Sequence, residues 1–280
     1  MARDTSFSYS FLVLPADQRQ AIGLVWDFCR AVDDAVDEAA NEAAAALEIP
    51  KWREEVGRLF GDQAPLTPQG RQLKPVVARF TLSRQPFDDL VDGVEMDLRH
   101  TRYQTFDELA GYCRRVASTV GLICIEIFGC RDSRSRDYAF NLGIALQLTN
   151  IIRDVAVDLA NGRIYLPQEE LSQFGVTEAD LRAGQVTVPI RRLLSHQCQR
   201  ARRFYTAAAQ AMPRAEAHRL IAAEIMGGIY FDILERIERR GFDVFTEVIR
   251  VPKAARARIA LAIWARGRLS ALGYRLTARA

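Results

Sequence analysis

The chain has 280 residues, 49% apolar and 26% charged, a composition that supports one large buried core and excludes a disordered or fibrous protein. Its net charge of +3 is too small for charge alone to argue for nucleic acid as a partner, and no apolar run reaches the ~18 residues of a bilayer-crossing helix. Five cysteines (Cys29, Cys113, Cys124, Cys130, Cys198) lack CxxC spacing, and no secretory leader pattern opens the chain, which together predict small core residues in a reducing, cytoplasmic setting.

Apolar residues recur at spacings of three and four nearly throughout, and alternating stretches are scarce, so an all-α protein is expected. The first helix is predicted to open near Ala16 and Asp17, behind Pro15, with Asp17 as its cap. It would carry Ile22, Val25, Trp26, Cys29, Val32 and Val36 on one side and end in the Ala-rich stretch before Pro50. Further helices are predicted over 52–60, 68–80, 87–97, 106–128, 135–158, 190–212, 215–240 and 254–272. Segments 116–128 and 142–155 are apolar around most of their circumference, as central helices are. The breaks are short and carry Gly or Pro, which predicts a single domain over 1–280 with an interior site. The arginines between Arg191 and Arg203 read most simply as a solvated face. His100, His196 and His218 lack metal-site spacing.

One feature occurs twice. CRAVDDAVDE (29–38) sets Asp33 and Asp37 four positions apart, and NIIRDVAVDLANGRIYLP (150–167) does the same with Asp154 and Asp158. Four helical residues rise ~6 Å and return to almost the same face, so each pair would point two carboxylates one way, at a cost of a few tenths of a kcal/mol to the bare helix. Solvated faces carry such pairs too, but these sit among Val32, Ala35 and Val36, and among Ile151, Ile152, Val155 and Leu159. Carboxylates of this kind suit hard divalent cations, Mg²⁺ above all when phosphate oxygens complete its shell. Arg30 and Arg153 stand three and one positions before the first Asp of each pair and can grip phosphate bidentately. The combination predicts a cradle for a diphosphate and Mg²⁺. Residues 160–167, with Gly162 and Arg163, are a candidate closing flap beside it.

At these residues the chain resembles the squalene/phytoene synthase family, the head-to-head branch of the trans-prenyl transferases. The resemblance runs from SFSYSFLVLP to the region of Lys253 and includes FCRAVDDAVDE, DGVEMDLRHTRY, YCRRVASTVG and QLTNIIRDVAVDLANGRIYLP. Within the family, SFSYSF, EMDL, EIFG and the LPQEEL…FGV continuation look most similar to the bacterial branch that forms presqualene diphosphate on the hopanoid pathway. The resemblance implies a single-domain all-α isoprenoid synthase fold, a helical bundle around a deep central cavity with the two Asp motifs facing each other.

Carried over at matching positions, it implies that Asp33, Asp37, Asn150, Asp154 and Asp158 hold Mg²⁺, with Mn²⁺ as a substitute. Ser6, Arg30, Gln147 and Arg153 would engage the diphosphates or orient the metal shell. Tyr112 would lie near the reacting carbons, and Tyr230 and Lys253 would make later phosphate-side contacts. An internal bond between the amides of Gln147 and Asn150, and ordinary core packing of Tyr112 and Tyr230, are the alternatives at those positions. The SFSYSF segment would sit beside the cavity, where Phe11 could limit prenyl tail length by filling volume.

The activity implied is condensation of two farnesyl diphosphates to presqualene diphosphate, without NADPH. Formation of phytoene, dehydrosqualene or squalene is the alternative within the family, and a non-catalytic helical assembly subunit is the alternative outside enzymes. Expected partners are the farnesyl diphosphate substrate, a downstream squalene-forming enzyme and the inner membrane surface. The segment from Ala254, which interleaves Arg256, Arg258, Arg266 and Arg268 with Ile259, Leu261, Ile263, Trp264 and Leu269, reads first as a last bundle helix with a solvated basic face, and its pattern is also compatible with an interfacial helix in peripheral contact with that surface.

Overall fold

The computed structural model describes residues 10–277, with the side chains of Asp37, Glu42 and residues 268–277 outside the description. Ser6 also lies outside the described residues. Helix α1 spans Ala16–Asp37. Its N-terminus follows Pro15 with no side-chain cap; Asp17 is not the cap expected but pairs with Arg79 at 2.8 Å. The helix does not run on toward Pro50. It stops because Asn41 offers a strong cap to a new helix, α2 (Glu42–Phe60), accepting from the Ala44 N–H at 2.9 Å. Pro50 lies inside α2 rather than ending a helix.

Helix α3 occupies Pro68–Phe80, as the spacing predicts, with Thr67 capping it and proline in its first turn. The buried Glu55 of α2 fastens this start, accepting from the Leu66 and Thr67 N–H groups and the Thr67 hydroxyl. Helix α4 is Gln85–Arg99. The single helix expected over 106–128 is three pieces: α5 (Phe106–Cys113), a π-helical turn (Arg114–Ser118) and α6 (Thr119–Ile127). The wider turn coincides with side chains bonding to backbone carbonyls, Thr119 to Arg115 and Ser118 to Phe140 across the helix interface.

Helix α7 (Ser133–Arg153) is capped by Asp132 and ends at Asp154, where φ −100° and ψ 12° leave the helical region; α8 (Val155–Ala160) follows at once. Two short helices escaped the periodicity, α9 (Gln168–Phe174) and α10 (Glu178–Arg182), the second held by a Thr177–Asp180 capping box. The last three are α11 (Val188–Ala211), α12 (Ile221–Arg239) and α13 (Lys253–Thr277). Among the described residues there is no β-strand, only an isolated parallel bridge between Arg102 and Ile164.

Two apolar clusters share α7. One gathers α1 to α4, α6 and the start of α7, with Trp52 and Phe87 packed edge-on to Phe28 at 5.4 and 5.9 Å. The other gathers the end of α7 with α9, α11 and α12. The basic run 191–203 is not wholly a solvated face. Arg200 is 8% exposed, donates to the buried Glu170 at 2.9 Å, and lies over the Phe106 ring. Its burial is tolerated because the charge is paired.

Candidate active site

Helices α1, α4, α6, α7 and α12, with the π-helical turn, surround a cavity of about 400 Å³. Val25, Trp26, Val94, Val120, Leu142 and Met226 contribute apolar wall, whereas Asp33, Gln147, Asn150 and Tyr230 contribute polar groups. The two kinds separate along the helices. On α7 the lining runs from Tyr138 to Asn150, a rise of roughly 18 Å, with the amides toward the C-terminal end. On α1 it runs from Ile22 to Asp33 and Val36. Asp33 stands in the last turns of α1, and Asp154 follows directly on the end of α7, where the helix dipole is also negative. Such an end calls for a cation.

Asp154 closes α7 without breaking its ladder: its N–H donates to the Asn150 carbonyl at 2.8 Å, and its own carbonyl accepts from Asp158 at 2.8 Å. The pair thus keeps its i,i+4 backbone link although the helix is interrupted between its members. Burial, then the Asp154 charge, pushes the Asp158 carboxyl up to about 7, with Arg163 acting in the opposite direction. Arg153 donates to Asp154 at 2.7 Å, so its guanidinium orients that carboxylate. Arg30 is exposed and stands 3.6 Å from Asp34.

The amides of Asn150 and Gln147 do meet, at 3.4 Å, yet the buried Asn150 Oδ1 accepts no hydrogen bond. A buried acceptor without a donor, one turn before Asp154 on the same helix, suits a bound cation. The donors present therefore fit Mg²⁺. Among the described residues no three His, Cys, Asp or Glu converge on one point, so phosphate oxygens and water would complete the shell. Tyr230 lines the cavity beside Asn150 and Arg153, and Phe11 lies in its wall. Lys253 is exposed at the start of α13 and is not a cavity residue.

Asp97 and Tyr165 line the cavity and received no role of their own from the sequence, and Arg163, named in the candidate flap, lines it as well. Asp97 Oδ2 accepts from the Tyr112 hydroxyl at 2.9 Å and Oδ1 from the Tyr165 hydroxyl at 2.8 Å. The Tyr112 and Tyr165 rings stack at 5.2 Å, with Tyr103 packed on both. The readable signal was an acid at 97 following Leu90 and Val94 on the apolar face of α4. Residues 160–167 form a strap rather than a free flap. Ile164, Tyr165 and Leu166 are buried; Ile164 N–H donates to Thr101, Arg102 to the Gly162 carbonyl, and Gln168 N–H to Tyr103.

An all-α bundle that encloses an apolar cavity and ends it with acids on separate helices defines an isoprenoid synthase fold. The squalene/phytoene synthase family model matches residues 1–257, and the chain belongs to that family of head-to-head prenyl transferases. It is 39% identical over 255 residues to a phytoene synthase of Arthrospira platensis, covering 86% of this chain and 82% of the relative. Among solved structures it is similar to the squalene synthase HpnC of Alicyclobacillus acidocaldarius, with 33% identity, a TM-score of 0.76, and coverage of 85% of this chain and 89% of the other. A dehydrosqualene synthase in complex with ligand gives a TM-score of 0.83 at 26% identity, covering 94% of this chain and 92% of the other. None of these three carries the presqualene diphosphate assignment, and the curated relative bears the name of the phytoene-forming alternative.

Proposed function

We propose that the protein condenses two farnesyl diphosphates head to head into presqualene diphosphate. The observation that carries the reading is the cavity itself, apolar along its length and furnished at one end with Asp33, Gln147 and Asn150 beside the Asp154–Asp158 pair. Apolar walls take the prenyl tails, and the acidic end takes the diphosphates through cations.

Asp33, Asp37, Asn150, Asp154 and Asp158 would hold Mg²⁺ directly or through water. When bound, the ion supplies the positive charge that stabilises a departing diphosphate. Arg30, Arg153, Gln147 and Ser6 would meet the diphosphates or orient their shell, with Tyr230 and Lys253 as later contacts. The walls exclude water, which would otherwise trap the allylic cation. Tyr112 stands where the reacting carbons would lie. No nicotinamide is needed for this step.

The choice of farnesyl rests on the SFSYSF resemblance and on Phe11 in the cavity wall. A second reading, geranylgeranyl diphosphate converted toward phytoene, is supported by the Arthrospira platensis relative. Separate incubations with farnesyl and geranylgeranyl diphosphate, with and without Mg²⁺ and NADPH, decide between them by mass spectrometry of the products. A cyclopropyl C30 diphosphate formed only with Mg²⁺ is expected. A C40 product would replace the first reading with the second, and no turnover of either substrate would leave the non-catalytic subunit.

Greasy substrate and product also make bilayer contact useful. On α13, Leu261 is 65% and Trp264 41% exposed, with Arg258 and Arg266 exposed nearby, a mixture suited to an anionic membrane surface and to handing product to a squalene-forming enzyme there. Flotation with vesicles containing anionic lipid, compared with neutral ones, tests this contact.

A further inference from the structure

Closure of a cyclopropane from two prenyl diphosphates must release a proton, and the sequence reading assigns no residue to accept it. Burial, and next the Asp97 charge, hold the Tyr112 phenol well above its usual value, so it stays neutral and cannot serve as a phenolate. Its proton is already committed: the hydroxyl donates to Asp97 Oδ2 at 2.9 Å. The Tyr165 hydroxyl donates to Oδ1 at 2.8 Å. Both phenols therefore spend their protons on one carboxylate, which leaves their oxygens as acceptors in a cavity that both side chains line.

We propose that Asp97 is the terminal acceptor of the proton released at ring closure, reached through the Tyr112 hydroxyl. The inference rests on the condensation proposed above. The donor C1–O bond breaks and its electron pair leaves with the diphosphate; attack by C2=C3 of the acceptor prenyl group on that C1 then forms the C1–C2 bond and leaves a tertiary cation at C3. A C–H bond on C1 then breaks and its electron pair closes the C1–C3 bond. The proton passes to the Tyr112 oxygen while the Tyr112 O–H proton moves along the existing hydrogen bond to Asp97 Oδ2. Charge balances: a cation and a carboxylate become a neutral ring and a carboxylic acid, which returns its proton to water after turnover. Loss of the C1 proton turns a tertiary carbocation into a neutral ring, a driving force large enough that a carboxylate accepting both tyrosine hydrogen bonds still takes the proton.

Placement supports the assignment. Asp97 is fixed by tyrosines from two elements, α5 and the strap, and the strap is pinned by the Arg102–Ile164 bridge, so the relay needs no rearrangement. Tyr165 would be a positioning residue that keeps Asp97 turned toward Tyr112.

The test is the ratio of inorganic diphosphate released to cyclopropyl product formed, measured with the full chain, Mg²⁺ and farnesyl or geranylgeranyl diphosphate, whichever the wild type turns over. Ring closure without a proton acceptor stalls after the C1–C2 bond has formed, and the coupled tertiary cation is lost to water as a tertiary alcohol that keeps the second diphosphate. Asp97→Asn should raise the ratio at least tenfold, with the coupled tertiary alcohol accumulating, and Tyr165→Phe should raise it less. Equal loss of diphosphate release and product, at an unchanged ratio, would overturn the relay and leave Asp97 a packing residue. If Asp97→Asn does not fold, Tyr112→Phe cuts the same relay while leaving Asp97 bonded to Tyr165, and an unchanged ratio there overturns the proposal equally. Absence of any head-to-head product from the wild type would instead sink the condensation, and the relay with it.

Discussion

Gly143 and Ser118 bring α7 and the π-helical turn into backbone contact: a Cβ at 143 would lie 2.6 Å from the Ser118 Cα and 2.8 Å from its nitrogen. Neither atom can yield as the tip of a flexible side chain would. The contact also places Val116 and Ala117 of the turn in the same cavity wall as Gln147. Gly143→Ala should therefore push the two elements apart, at a cost of about 1–3 kcal/mol, and lower turnover along with the melting temperature. A variant with wild-type melting behaviour would mean that the turn slides freely over α7.

What could be read from the chain, and what could not, follows from the range of the interactions. Helix α3 was legible to the residue because Thr67, Pro68 and the apolar spacing all lie within it or beside it. The end of α1 was not, since Asn41 is one polar residue in a helix-favouring stretch and Pro50 reads as a stop. The two Asp pairs are a local pattern and announce themselves. Asp97 gains its meaning from tyrosines 15 and 68 residues away, and Arg200 from a glutamate 30 residues earlier. No periodicity carries that information.

The Glu170 carboxylate offers a pH test of the second cluster. Burial alone would push it up, but bonds from Arg200 and Gln197, with His196 nearby, hold it below the usual glutamate value. A depressed folded value means that its stabilisation is present above about pH 4.3 and lost as pH falls through the folded value. Glu170→Gln leaves Arg200 charged and uncompensated, so a loss of roughly 3–5 kcal/mol is expected at pH 7. The gap between wild type and variant should narrow in acid. Denaturant titrations at both pH values check it; a gap independent of pH would assign the effect to packing.

Replacing Asp33 or Asp154 with Asn changes charge and little volume. Asp154 is partly buried and pairs with Arg153, while its charge raises the cost of ionising Asp158, so Asp154→Asn loses one interaction and relieves another, and the protein should still fold without metal. Turnover should nevertheless fall by about 100-fold or more, roughly 2.7 kcal/mol of barrier. Thermal shift with Mg²⁺ and inorganic diphosphate gives a second readout: the wild type should be stabilised and both variants much less. Full stabilisation of Asp154→Asn at limiting Mg²⁺ would remove that carboxylate from the metal shell.

Phe11 tests what sets tail length. Its side chain lines the cavity and packs against both apolar clusters, so it is at once wall and core, and the two roles predict different things. As core, truncation to Ala would cost about 3–5 kcal/mol through the void it leaves, and both substrates would suffer alike. As a limit on the cavity, the same void becomes room for the additional five-carbon unit of geranylgeranyl diphosphate, and occupancy by the longer tail would recover part of the loss. Direct competition between the two diphosphates separates these outcomes without reference to absolute rates. A product distribution moved toward the longer tail in Phe11→Ala is expected. An unchanged distribution, with a lower melting temperature and equal loss of both products, would make Phe11 a core residue and place the control of chain length elsewhere along α1, α6 or α7.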